Sequence, residues 1–204
     1  MTIDAALISA PTFARVTTDT RYVLTGFPIA LAGTIVCAVG FSLGVGLAAL
    51  WIGVPILIAT MMLARGLAVT ERSRIAPVLG VPERIVTYRG ATRDSVISRM
   101  IAAVTDPQSW RDLAHATLRV IPSSIAFSIV VSWWAAVIGG ISWALWGWSL
   151  PDDGKEVPEM LGFGDAYLTT VTFYLVIAAA FAVTLPAVTR WAARLEARFA
   201  QALL

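Results

Sequence analysis

Three stretches of the chain carry no Asp, Glu, Lys, Arg or His: residues 22–64, 120–151 and 166–189. Each is a near-continuous run of Ala, Val, Leu, Ile, Phe and Trp. A helix rises 1.5 Å per residue, so about 20 apolar residues cross the hydrocarbon of a bilayer. The first stretch is long enough for two crossings and the others for one each. The first must therefore turn, and its most flexible part is Phe41-Ser42-Leu43-Gly44-Val45-Gly46, where glycine suits a tight reversal. The pattern predicts spans at 22–41, 45–66, 117–138 and 166–189.

The polar segments have their own periodicity. Val96, Ile97, Met100, Ile101 and Val104 recur at helical spacing, with Arg93, Asp94 and Arg99 elsewhere on the wheel. Asp106-Pro107 pairs an N-cap acceptor with a proline at the first helical position. The helix it starts carries Trp110, Leu113 and Thr117 toward span 3. Pro77 and Pro82 bracket Leu79-Gly80, which predicts that the helix extending from span 2 ends there. After span 4, Arg190, Arg194 and Arg198 share one helical face, while Trp191, Leu195 and Phe199 form an adjacent apolar one. That stripe predicts a helix at 190–204 that faces a partner.

Charge sets the orientation. Charged residues are 14% of the chain, against about 25% in soluble domains. The fourteen arginines all lie before span 1, between spans 2 and 3, or after span 4. The segment near 150–165 has the single lysine, Lys155, against Asp152, Asp153, Glu156, Glu159 and Asp165. The positive-inside rule then places both termini and residues 67–116 in the cytoplasm. More than twenty polar-interspersed residues precede span 1 without a cleavage pattern, so no cleaved signal peptide is expected. Cys37 is the only cysteine and lies mid-span, which predicts neither a disulfide nor a metal cluster.

A faint repeat runs through the chain. A shift of 125 residues aligns Arg65 with Arg190, Ala68 with Ala193, Glu71 with Glu196 and Leu79 with Leu204; a shift of 94 aligns Pro28 with Pro122 and Ile35 with Ile129. The predicted fold is a single all-α integral membrane domain over residues 1–204. It has four transmembrane helices, as two tandem in-out-in hairpins with helical cytoplasmic extensions. Both halves start on the same side, so a pseudo-symmetry axis would lie along the membrane normal.

Trp133, Trp134, Trp143, Trp146 and Trp148, with Asp152 and Asp153 following, are the candidate ligand-binding residues. They form either an interfacial aromatic belt or an outward pocket for an apolar or cationic molecule, held by ring faces and carboxylates. Gly139-Gly140 would break the helix to shape that pocket. Ser124, Ser128, Ser132, Ala136 and Gly140 form a small-residue stripe, and Gly40-x-x-x-Gly44 a shorter one; both serve close helix packing or a homodimer seam. His115 is expected at a surface or interface. The span centres hold no ionisable group, which disfavours a proton-coupled pump. No catalytic set, phosphate loop, metal site or cofactor motif is present, and no nucleic-acid partner is expected.

Gly26-Phe27-Pro28, Gly40-Phe41-Ser42-Leu43-Gly44-Val45-Gly46, Leu50-Trp51-Ile52-Gly53-Val54-Pro55, Leu63-Ala64-Arg65-Gly66, Asp106-Pro107 and Trp110-Arg111-Asp112-Leu113-Ala114 resemble the putative sensor domain family of actinobacterial histidine kinases. The likeness runs from about Thr20 to Leu204. It implies a four-span, non-enzymatic sensing module in a bacterial plasma membrane. Here it would stand alone without a kinase core, passing its signal to a separate kinase or transporter subunit. The alternatives are an accessory subunit of an ABC-type exporter, or an oligomeric passive channel or small exporter.

Overall fold

The computed structural model describes residues 12–82, 86–88, 96–150 and 156–204, except the side chains of residues 96, 97, 99 and 100. Asp152, Asp153, Arg93 and Asp94 therefore lie outside the described residues. Among those described, every regular element is a helix: α1 (Thr12–Gly46), α2 (Gly53–Leu79), α3 (Val96–Thr105), α4 (Pro107–Leu118), α5 (Val120–Trp146), α6 (Val157–Met160) and α7 (Tyr167–Leu203). Four helical rods, α1, α2, α4–α5 and α7, are long and apolar enough to cross a membrane. Their outward side chains are large and apolar, with Val183 81% exposed, while the interior is rich in alanine and buried polar groups. Lipid as solvent accounts for that distribution, because helix contacts in lipid favour small residues.

The first reversal lies beyond the predicted one. α1 continues through Phe41–Gly46, and the chain turns at residues 47–52, where a short 3-10 turn precedes Trp51 in the left-handed region (φ 59°). Gly44 has another use: an added Cβ would stand 2.9 Å from the Leu57 backbone. The missing side chain lets α1 and α2 touch, and the turn follows once they part.

Two other boundaries agree with the local chemistry. Gly80 (φ 69°) closes α2 with its N–H on Ala76 O, and Val81 N–H shares that carbonyl. The Asp106 carboxylate accepts from Gln108 N–H and caps α4. The expected break at Gly139-Gly140 does not occur, and α5 runs on to Trp146. Gly140 instead lies against α7, where an added Cβ would be 2.7 Å from Tyr174 O and 2.8 Å from Ala178 Cβ. Gly140→Ala is expected to destabilise the α5–α7 pair by about 1–3 kcal/mol. Gly139→Ala, whose Cβ would meet nothing within 4 Å, should be neutral or slightly stabilising. Denaturant titration in micelles reads both, and equal effects would contradict this packing.

α1 pairs with α2 and α5 with α7, giving two hairpins that meet through their open ends. α4 lies along the first hairpin, with Leu113 and Ala116 on Cys37 and Ala64, and Trp110 edge-on to Phe41. The register continues downward: Gly26 adjoins Arg119, Phe27 stacks on Phe127 at 4.5 Å, and Trp134 Nε1 donates to Thr20 Oγ1. α5 thus runs antiparallel to α1. An axis along the membrane normal would have them parallel, so the halves pack here in the opposite sense to that expectation.

Candidate functional site: a buried charge network between the hairpins

Arg119 stands at the joint between α4 and α5, where both residues flanking the peptide keep helical geometry. It is 3% exposed. Its Nη1 is 2.7 Å from Glu71 Oε2 on α2, and its Nη2 is 2.9 Å from Glu196 Oε1 on α7. Tyr22 of α1 donates its hydroxyl to Glu71 Oε1 at 2.6 Å. Ser123 of α5 donates to Glu196 Oε1 at 2.9 Å. Gly26 makes the room: a Cβ there would stand 2.7 Å from Glu196 Oε1. Each of the four rods contributes a group, and one guanidinium ties them.

A second cluster adjoins it. Arg72 donates through Nη2 to Asp112 Oδ1 (2.8 Å) and through Nη1 to the Tyr88 hydroxyl (2.9 Å), which donates on to Asp112 Oδ2 (2.7 Å). Arg74 bonds Glu71 Oε2 at 3.1 Å. Glu71, Asp112 and Glu196 are thus set against Arg72, Arg74 and Arg119, a balance of charge that burial demands. His115 lies among them with neither ring nitrogen hydrogen-bonded. Contrary to the expectation of a surface residue, it is 1% exposed.

Two outer clasps repeat the theme. Arg65 of α2 reaches Asp106, the cap of α4, at 3.0 Å. Arg190 of α7 reaches Asp19 of α1, also at 3.0 Å. The residues aligned by the sequence repeat thus do like work: Arg65 and Arg190 each hold an aspartate of the opposite half, and Glu71 and Glu196 share one arginine. Arg119 has no such counterpart, since the 94-residue shift aligns it with Thr25, whose hydroxyl accepts from Arg74.

The candidate aromatic residues do not gather at one place. Trp143 packs against Trp146 and Tyr174, each at 4.8 Å between ring centroids. Trp133 lies on Phe181 and donates to Thr184 Oγ1, whereas Trp134 points to α1. Trp148 is exposed and donates its Nε1–H to Leu145 O. Of the small-residue stripe, Gly140 is buried, Ser124 and Ala136 are half-buried, and Ser128 and Ser132 are exposed. Gly40 and Gly44 face α2. Trp191 is exposed on α7, with Leu195 and Phe199 half-buried beside it.

Sequence reading misses the buried network because its charges lie in segments that read as solvated flanks. The repeat holds the one available signal, the pairing of Glu71 with Glu196. No curated protein and no solved structure matches this chain. A family model described as "Putative sensor" matches residues 22–204, nearly the whole sequence, and the chain belongs to that family.

Proposed function

We propose that the protein is a non-enzymatic sensory module of a bacterial plasma membrane, with its termini in the cytoplasm. It would sense an envelope condition or a small apolar or cationic molecule and pass the signal to a separate kinase or transporter subunit. The observation that carries this reading is the Arg119 network. A sensor needs an element with two arrangements whose balance a stimulus can shift. Buried ion pairs suit such an element because they fix one register, contribute little net stability over apolar packing, and can exchange partners as a unit. Here a single guanidinium shared between α2 and α7 couples the two hairpins, so movement of either is felt by the other.

The arginine distribution, read by the positive-inside rule, supports the cytoplasmic placement of both termini. Spin labels on cysteines at Trp51 and Trp148, both exposed in the two turns, with Cys37→Ala, report the distance between turns. In lipid vesicles we expect a distance distribution that shifts with a subset of added apolar cations or with bilayer composition. One unchanging distance across that panel would overturn the sensory reading.

A further inference from the structure

We propose that the face of α7 at Arg190, Arg194 and Arg198 is a binding site for an acidic phospholipid. A groove of about 840 Å³ runs along this face, lined by Pro186, Arg190, Trp191, Arg194, Leu195 and Arg198 among others. The cationic and apolar stripes, which the helical wheel separates, thus line one groove. Arg190 shares its charge with Asp19, but Arg194 and Arg198 form no ion pair among the described residues and are exposed.

Position along the helix selects the ligand. Arg190 is the first charge after the apolar run 166–189, so it stands where hydrocarbon gives way to headgroups. At 1.5 Å per residue, Arg194 and Arg198 follow about 6 and 12 Å further out. Trp191, 54% exposed, sits at the level that indole rings favour in a bilayer. A phosphate between Arg190 and Arg194 places its acyl chains beside Pro186 and the 81% exposed Val183, along a surface already suited to lipid. A partner protein with an apolar helix would leave Arg194 and Arg198 uncompensated, whereas an anionic headgroup matches them. The site is independent of the sensing role.

Native mass spectrometry of the full chain, released from micelles doped with phosphatidylglycerol or phosphatidylcholine, tests the assignment. Wild type should retain phosphatidylglycerol in preference to phosphatidylcholine. Each arginine near an acidic leaflet is worth about a fivefold change in binding, so Arg194→Gln with Arg198→Gln should weaken retention roughly twenty-fivefold. An equally charged control, Arg111→Gln with Arg21→Gln, should change it far less. Equal retention of the two lipids, or equal losses in the two double variants, would overturn the proposal. So would unaltered lipid retention in a double variant that instead loses a protein cross-linked at this face in native membranes.

Discussion

Arg119→Met is expected to destabilise the folded protein by about 3–5 kcal/mol, the cost of leaving buried carboxylates without their cation. The loss should fall unequally on the two partners. Glu71 keeps the Tyr22 hydroxyl and Arg74. Glu196 keeps only Ser123, and its other carboxylate oxygen has no partner. Adding Glu196→Gln to Arg119→Met should therefore recover more stability than adding Glu71→Gln. Arg119→Met with Glu196→Gln removes one charge of each sign and should approach wild type, since a buried ion pair can be exchanged for neutral packing at little net cost. Denaturant unfolding in micelles supplies each corner of the double-mutant cycle. An Arg119→Met protein within about 1 kcal/mol of wild type would mean that these pairs are not formed.

The second large effect is at His115. Its imidazole is 1% exposed, and neither ring nitrogen has a hydrogen-bond partner among the described residues. A buried polar group left without a partner costs about 1–3 kcal/mol. His115→Leu, which fills a similar volume with apolar atoms, should therefore raise stability by roughly that much. Denaturant unfolding of the two proteins in micelles decides the matter. A loss of stability in His115→Leu would show that the imidazole is held by a bond.

Both effects arise where local sequence signals are weakest. Glu71, Arg72, Asp112 and His115 lie on helices whose neighbours in sequence are ordinary flank residues, and nothing in their spacing marks them as buried. Their burial depends on which helix covers them. Asp106 is legible because an N-cap bonds its own helix, two residues on. Gly80 is legible for the same local reason. Gly44 and Gly140 read as places where the chain bends, because a glycine that permits a turn and one that permits a close helix contact look alike in sequence. The contact with Leu57 or Ala178 decides between them.

The sequence by itself determined the all-helical class, the four apolar rods and the caps of α2 and α4. Those depend on the solvent each stretch requires and on bonds made within a few residues. Only the tertiary structure decided that Glu71 and Glu196 meet at Arg119, that His115 is enclosed, and that α5 runs against α1. A charge can be buried only where a counter-charge from another helix reaches it, and that depends on how the helices pack together.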